Sequence, residues 1–301
     1  MNALEIQNVS KEYKNFSALK NINFSIKKGD FVGLLGVNGA GKTTLISSIA
    51  GINNFKGSIK ICGHDVINDV VNAKHNLGVV PQELAFDPFL TVRQTLKFQS
   101  GLYGVKNNNA WIDELIEKMH LKDKINTNCR ALSGGMKRRL MVAQALVHKP
   151  PLIILDEPTA GVDVEIRKSL WDFITQLNQE GHTILLTTHY LEEVEQLCNK
   201  IVMINKGEII AESSKSELIN KSSNLSSTIE IEASNLQFVD SLNHLIFKRE
   251  GNKLILKFDT YTDINSFLSN ILNELKKANI TIENININKP SLEDIFISYL
   301  H

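Results

Sequence analysis

The order of apolar and polar residues predicts an α/β protein carrying a small α+β unit at its C-terminal end. Three features point there. Short apolar runs at 31–35 and 152–155 have no polar face, the pattern of strands buried on both sides in a parallel sheet. Segments with apolar residues at helical spacing alternate with such strands between about residues 30 and 204. Beyond about residue 221 the predicted order is β-α-β-β-α-β, the ferredoxin-like arrangement.

Residues 4–9 and 19–26 alternate in the strand manner, and a Lys-Lys-Gly-Asp turn at 27–30 leads into the apolar strand 31–35. A Gly-rich stretch and a helix over about 42–50 follow. Ser58–Cys62 is another alternating strand ending at Gly63, and the strand 77–80 is stopped by Pro81. From about 91 to 120 the spacing is helical, as in Trp111, Leu115, Ile116 and Met119. The next helix, 134–148, is closed by Pro150-Pro151. Strand 152–155, helix 164–179, strand 183–187, helix 190–198 and strand 201–204 complete the alternation. Ser213–Ser227, rich in Ser, Lys and Asn, reads as the end of a domain and a linker. The appended unit reads as strand 228–232, helix 236–243, strand 245–249, a Gly-Asn turn at 251–252, strand 253–258, helix 263–278 and strand 280–287. A last helix, 291–300, follows Pro290.

Composition excludes several classes. Hydrophobic residues are 43% and charged residues 22%, values of a chain that builds a core. Lys+Arg and Asp+Glu are both 33, so no net field collects nucleic acid or anionic lipid. The longest apolar run, Phe31–Val37, is far short of the about 20 residues that a membrane span needs. The N-terminal residues have no apolar stretch after their charges, so no secretory signal is expected. Cys62, Cys129 and Cys198 lie far apart without zinc or redox spacing and are expected to be free thiols in a reducing cytosol.

Gly36-Val37-Asn38-Gly39-Ala40-Gly41-Lys42-Thr43 fits G-x-x-x-x-G-K-[ST] between a strand and a helix. Its glycines let backbone N–H groups wrap phosphate, and the following helix aims its positive end there. In such a loop Lys42 reaches the β/γ-phosphates and the Thr43 hydroxyl meets Mg²⁺. Asp156 and Glu157 end an apolar strand at its carboxyl end, where ligands of open α/β sheets bind. Asp156 there stands beside the Mg²⁺ shell, and Glu157 can orient or deprotonate an attacking water. Such a pair elsewhere merely caps a turn; the phosphate loop favours the chemical role. Ser133-Gly134-Gly135 opens a helix with an N-cap hydroxyl and unencumbered N–H groups, a second phosphate-binding device that is weak on its own.

With these motifs in this order the sequence resembles the ATP-binding cassette (ABC) ATPases, over residues 3 to about 213. GVNGAGKTT (36–44) stands as the P-loop, Gln82 in VVPQE as the Q-loop glutamine, and LSGGMKRRL (132–140) as the signature. LIILDEP (152–158) stands as the Walker B strand with its glutamate, AGVD (160–163) as the D-loop, and His189 in TTHY as the switch histidine. Tyr13 fits the aromatic that stacks on adenine. The resemblance implies an ATPase using ATP and Mg²⁺. Nucleotide binding would then fall to Tyr13, the loop residues Gly36, Val37, Asn38, Gly39, Ala40, Gly41, Lys42, Thr43 and Thr44, and to Gln82, Ser133, Gly134, Gly135, Asp156 and Asp163. The metal would be held by Thr43, Gln82 and Asp156, with Glu157 and His189 catalytic.

It also implies a head-to-tail homodimer, with ATP between the P-loop of one chain and the Ser-Gly-Gly of the other, and Asp163 reaching across. The cassette would span 1–215, with a helical subdomain at about 84–150 facing a separate membrane permease. Met136 departs from the family's usual glutamine, but Ser133 and both glycines are kept. MKRRL, EPTAGVD, TTHYLEEVEQLC and PSLEDIF (290–296) are most similar to ATPases of small exporters whose permease is a separate six-helix chain. That places the protein at the cytoplasmic face of the inner or plasma membrane, held through the permease. The alternative is a soluble ABC ATPase acting on ribosomes or DNA; the single cassette without a heptad run argues against it, and no nucleic acid is expected. An importer ATPase fits the signature and the C-terminal extension less well. By fold analogy, 221–301 is expected to serve regulation or dimerisation.

Other conspicuous residues read as structural. Lys137-Arg138-Arg139 is expected to be a solvated helix face, and His64, His75, His120, His148, His182, His244 and His301 surface or turn residues. Trp111 and Trp171 are expected to pack with Leu115 and Ile174. Phe86–Leu90 is open between a local core and a partner contact.

Overall fold

The computed structural model describes residues 1–14, 16–83, 87–188, 190–221, 227–234, 246–258, 264–288 and 291–300. The chain divides into two compact units, Met1–Ser214 and Lys215–His301. In the first unit β1 (Asn2–Tyr13), β2 (Phe16–Lys27) and β3 (Phe31–Leu35) lead to α1 (Lys42–Ile49). Then come β4 (Lys56–Ile61), β5 (His64–Asp65), α2 (Val70–His75) and β6 (Leu77–Val80). Helices α3 (Val92–Leu102), α4 (Asn109–Lys118) and α5 (Gly134–Leu146) precede β7 (Leu152–Asp156) and α6 (Val164–Gln179). The unit closes with β8 (Thr183–Thr187), α7 (Leu191–Leu197), β9 (Lys200–Asn205) and β10 (Glu208–Ser214).

Two sheets organise this unit. An antiparallel sheet runs β2-β1-β4-β5, and a six-stranded sheet runs β10-β9-β3-β8-β7-β6. All ladders of the larger sheet are parallel except the edge pair β9–β10. Every residue of β3, β7 and β8 is buried, which is why their sequences lack a polar face. Leu45, Ile46 and Ile49 of α1 belong to one core cluster with Leu4, Ile22 and Ile59 of the smaller sheet and Leu34, Ile154 and Val202 of the larger. Each such side chain contributes roughly 1.5–3 kcal/mol of burial free energy. The core therefore clamps α1, and the loop before it, between two sheets.

The helical subdomain is built on ordinary capping. Thr91 and Gln94 form a reciprocal capping box on α3, and the Ser133 hydroxyl accepts the Met136 N–H at 3.3 Å to start α5. Val92 and Leu96 of α3 and Ile112, Leu115 and Ile116 of α4 are buried on their helical stripes. Helix α5 differs: from Arg138 to Leu146 every residue but Gln144 is buried. The solvated face expected for Lys137–Arg139 is therefore corrected. Arg138 is 3% exposed and Arg139 6%, because backbone carbonyls of neighbouring loops surround both guanidinium groups.

In the second unit α8 (Lys215–Lys221), β11 (Ser227–Ser234), β12 (Ile246–Glu250), β13 (Lys253–Phe258), α9 (Ile264–Lys277), β14 (Thr281–Asn288) and α10 (Leu292–Leu300) follow in order. The sheet runs β12-β13-β11-β14, antiparallel throughout. That is the ferredoxin-like strand order. Its core joins Ile229, Ile231, Leu254 and Leu256 of the sheet to Ile271 and Leu275 of α9. The helix expected at 236–243, and Pro290, lie outside the described residues. The expected linker 213–227 instead begins with the end of β10 and contains α8, where Leu218 is buried.

One histidine departs from its expected surface role. His148, just past α5, donates from Nε2 to the Leu77 carbonyl at 3.1 Å and stacks on Tyr103 at 3.6 Å between centroids. Its Nδ1 is buried without a partner among the described residues. Protonation would place an N–H there with no acceptor, and burial pushes the pKa from 6.5 to about 4, with the nearby His75 acting in the same direction and the Leu77 carbonyl against it. The unfolded chain takes up this proton below pH 6.5 and the folded one does not. Stability from this site is thus complete above pH 6.5 and lost as pH falls toward 4. We expect a loss of about 2 kcal/mol across that window after allowing for partial solvent screening. Urea unfolding of wild type and His148→Gln at pH 7 and 5 checks this: the variant should show the shallower pH dependence.

Candidate functional site

The site lies at the carboxyl edge of the parallel sheet. There β3 delivers the phosphate-type loop, β7 delivers Asp156 and Glu157, and β8 delivers Thr187 and Thr188. The parallel register sets Asp156 opposite Thr187. Asn38, Gly39, Gly41, Lys42, Thr43 and Thr44 line one side of a cleft of about 450 Å³, and Gln82, Asp156 and Glu157 the other.

Backbone sterics explain the loop. A Cβ on Gly36 would sit 2.5 Å from the Ile204 carbonyl. Gly41 has φ +111, and a Cβ there would sit 2.8 Å from the Ala18 carbonyl. Within the loop the Ala40 N–H donates to the Val37 carbonyl at 3.1 Å, and the Ala40 carbonyl accepts from Gly207 at 2.9 Å. Gly41 gives α1 no side-chain cap, and its first turn holds no acidic residue, so the first N–H groups remain available to an anion. The Lys42 ammonium donates to the Gly36 carbonyl at 2.6 Å and the Val37 carbonyl at 3.2 Å. Burial lowers its pKa, and the carboxylates of Glu157 and Asp156 oppose that shift.

The two acids differ in setting. Asp156 is buried and accepts a hydrogen bond from the Thr187 hydroxyl. Burial raises its pKa; the Thr187 bond, Arg138 and Lys42 work the other way. A cation beside it would favour its ionised form. Glu157 has φ +50, the left-handed region, which a non-glycine residue enters only when held. Three bonds to its backbone hold it: its N–H donates to the Thr187 carbonyl at 2.9 Å, and its carbonyl accepts from Arg138 Nη2 at 2.6 Å and from the Ala160 N–H at 3.2 Å. Its side chain points to Gln82, whose Nε2 lies 3.5 Å from Glu157 Oε2.

Not every expected residue joins this cleft. Ser133 and Gly134 are exposed, and none of Ser133, Gly134 and Gly135 lines it. Asp163 caps α6, accepting the Ile166 N–H at 3.1 Å, and is also absent from the lining. His189 lies outside the described residues. Tyr13 does not line the cleft either. Lys11 Nζ stands 4.7 Å over its ring, and its hydroxyl accepts from Asn53 at 3.1 Å. The aromatic that lines the cleft is Phe16, 62% exposed and paired opposite Tyr13 across the β1–β2 hairpin. Only the hairpin register, invisible without its turn, distinguishes the two. Sequence reasoning also missed Glu193. It is fully buried on α7 and accepts from the Thr159 hydroxyl and, at 3.3 Å, from Trp171 Nε1, tying α7 to the segment after Glu157.

Comparison with known proteins adds names to this geometry. A family model described as ABC transporter matches residues 19–160. A second, described as the C-terminal domain of DrrA1-3-like ATP-binding proteins, matches residues 221–300. The linearmycin resistance ATP-binding protein LnrL of Bacillus subtilis (strain 168) is 34% identical over 302 residues, covering 98% of this chain and 97% of that protein. The Nod factor export ATP-binding protein I of Burkholderia orbicola (strain AU 1054) is 40% identical over 219 residues, 72% of each chain. Among solved structures, a dimeric ATP-binding cassette in a post-hydrolysis state with ADP and Pi is 25% identical. It superposes with a TM-score of 0.65 over 70% of this chain and 98% of that one.

Gly41→Ala tests the loop directly. The alanine methyl would meet the Ala18 carbonyl in a left-handed backbone, so the loop must shift. We expect ATP affinity to fall by about tenfold or more, since a 1.4 kcal/mol strain already costs tenfold. Titration with a fluorescent ATP analogue checks it; unchanged affinity would show that the loop geometry is not what binds.

Proposed function

The chain belongs to the ABC transporter ATP-binding proteins, and from that premise we propose that it is the ATP-hydrolysing subunit of an exporter. Its activity as an ABC ATPase follows from membership. The observation that carries the residue assignments is the convergence of Lys42, Thr43, Gln82, Asp156 and Glu157 on one cleft. Lys42 and the loop N–H groups bind the β- and γ-phosphates. The hydroxyl of Thr43, the amide oxygen of Gln82 and the carboxylate of Asp156 form an oxygen donor set that fits Mg²⁺. When bound, that ion neutralises charge on the phosphates. Glu157 orients the attacking water and takes its proton. Phe16 stands where a base can stack, in place of Tyr13. His189 is kept as the γ-phosphate contact on family resemblance alone.

A dimer completes the site. Ser133–Gly135 open α5 at the surface, away from the cleft of their own chain, so they suit the ATP of a partner, with Asp163 nearby on the D-loop. The solved relative with ADP and Pi is itself dimeric. Export is supported by the names of the relatives, one a resistance protein and one a Nod factor exporter. No helix among the described residues is long and apolar enough to cross a membrane; the transport path is assigned to a separate permease on the resemblance to small exporters. We assign the docking of its cytoplasmic segment to a groove of about 390 Å³ between Ile52, Leu77 and Val79 of the core and Tyr103 and Met141 of the helical subdomain. Ile52, 75% exposed, stands at its rim. The unit 221–301 serves dimer stability or regulation, since none of the nucleotide-binding residues lies in it.

Glu157→Gln separates binding from chemistry. The variant should bind ATP within a few-fold of wild type, lose hydrolysis by about 10²–10⁴-fold, and accumulate as an ATP-bound dimer by light scattering. Full turnover by that protein would remove Glu157 from the mechanism.

A further inference from the structure

Arg138 is a buried cation that phosphate binding does not require. It lies in α5, little more than one turn after the exposed Ser133 and Gly134, and is 3% exposed. Its Nη1 donates to the carbonyls of Pro81 and, at 3.1 Å, Gln82. Its Nη2 donates to the carbonyls of Asp156 and, at 2.6 Å, Glu157. One guanidinium thus gathers four backbone oxygens from the Q-loop and from the end of β7. Its Nε has no partner among the described residues.

Burying an arginine costs several kcal/mol, and an apolar side chain of similar volume would pack at less cost. Lysine offers three donors at one point and cannot span the two loops with a planar fork. The group is therefore suited to holding geometry rather than to adding stability. The geometry it holds is unusual. Glu157 sits at φ +50, a left-handed backbone that a non-glycine residue enters only when held, and Arg138 bonds the carbonyl of that same residue.

We propose that Arg138 is a positioning residue for hydrolysis: it fixes the left-handed backbone of Glu157 and, through the same guanidinium, the Pro81–Gln82 segment. Movement of α5, whose first turn carries the second phosphate-binding device, then reaches both the catalytic carboxylate and the Q-loop. This rests on the assignment of Glu157 as the water-orienting group. Arg138 touches neither nucleotide nor water; it acts through Glu157.

The test uses full-length Arg138→Gln and Arg138→Lys, alone and combined with Glu157→Gln. Expected for Arg138→Gln is a kcat lower by about 10–10²-fold, the cost of a misplaced group, with KM and ATP affinity within about threefold. Arg138→Lys should recover part of the loss, since it restores the charge and one donor cluster. In the Glu157→Gln background, single-turnover hydrolysis should fall by less than about threefold on adding Arg138→Gln, because residues that act as a unit are not additive. Equal losses in both backgrounds, or ATP affinity falling in step with kcat, would reduce Arg138 to a structural role and overturn the proposal. Normal kcat in Arg138→Gln would overturn it as well. Failure of the Glu157 assignment shows separately, as full turnover by Glu157→Gln alone. If Arg138→Gln does not fold, the same comparison with Arg138→Lys decides.

Discussion

The parallel pairing of β7 with β6 and β8 is the constraint on which the site depends. Parallel neighbours end on the same side, so strands distant in sequence deliver their C-terminal residues to one edge. Register then sets Asp156 opposite Thr187 and Val80 opposite Leu155, and so brings Gln82 beside Glu157. No hydrogen bond between side chains is needed to assemble the cleft. The ladder does it, and full burial of β3, β7 and β8 makes slippage costly, since any shift of register moves whole apolar side chains out of the core.

The same edge concentrates charge of both signs. The carboxylates of Asp156 and Glu157 favour the charged forms of Lys42 and Arg138, and those two cations favour the ionised form of Asp156. Burial disfavours the charge on Lys42, on Arg138 and on Asp156, and each is offset by a group of opposite sign. Such a cluster is balanced internally and still open to a polyanion on one side. On the reading proposed above, a bound phosphate chain would add negative charge where Lys42 and the helix terminus point, and a divalent cation at Asp156 would offset it. On that reading the charges balance when nucleotide and cation arrive together.

Much of this was legible in the sequence because the chemistry is local. The phosphate loop is a backbone conformation, and glycines at 36, 39 and 41 announce it. A strand with no polar face announces its own burial, and the carboxylates at its end announce the edge of the sheet. Features defined by distant contacts were not legible. Arg138 and Arg139 read as a solvated run because three adjacent cations normally are; only the carbonyls of residues far away in sequence explain their burial. Tyr13 and Phe16 are separated by the register of one hairpin, not by residue type. The elements β5, α2 and α8 are too short to show a period, and β10 is an edge strand whose pattern has partly exposed apolar positions. The order of the appended sheet was legible, since apolar alternation on one face is all that a helix-covered antiparallel sheet requires.

Helix α5 joins two regions of different character. Its N-terminal turn is exposed and capped by Ser133, with free space beside Gly134 where a Cβ would meet nothing within 4 Å. Its second turn is buried against the Q-loop and the end of β7. The two regions are about 7–8 Å apart along one rigid helix axis. A ligand that seats against the exposed turn cannot shift it without shifting Arg138. The four carbonyls that Arg138 gathers belong to the segments that carry Gln82, Asp156 and Glu157 into the chain's own cleft, whereas Ser133–Gly135 do not line it. On the dimeric reading proposed above, a single chain would carry a receiver for one nucleotide and a lever onto the machinery for another, and only a symmetric pair would give each lever a nucleotide to act on. Two sites could then work in concert without any contact between the nucleotides themselves.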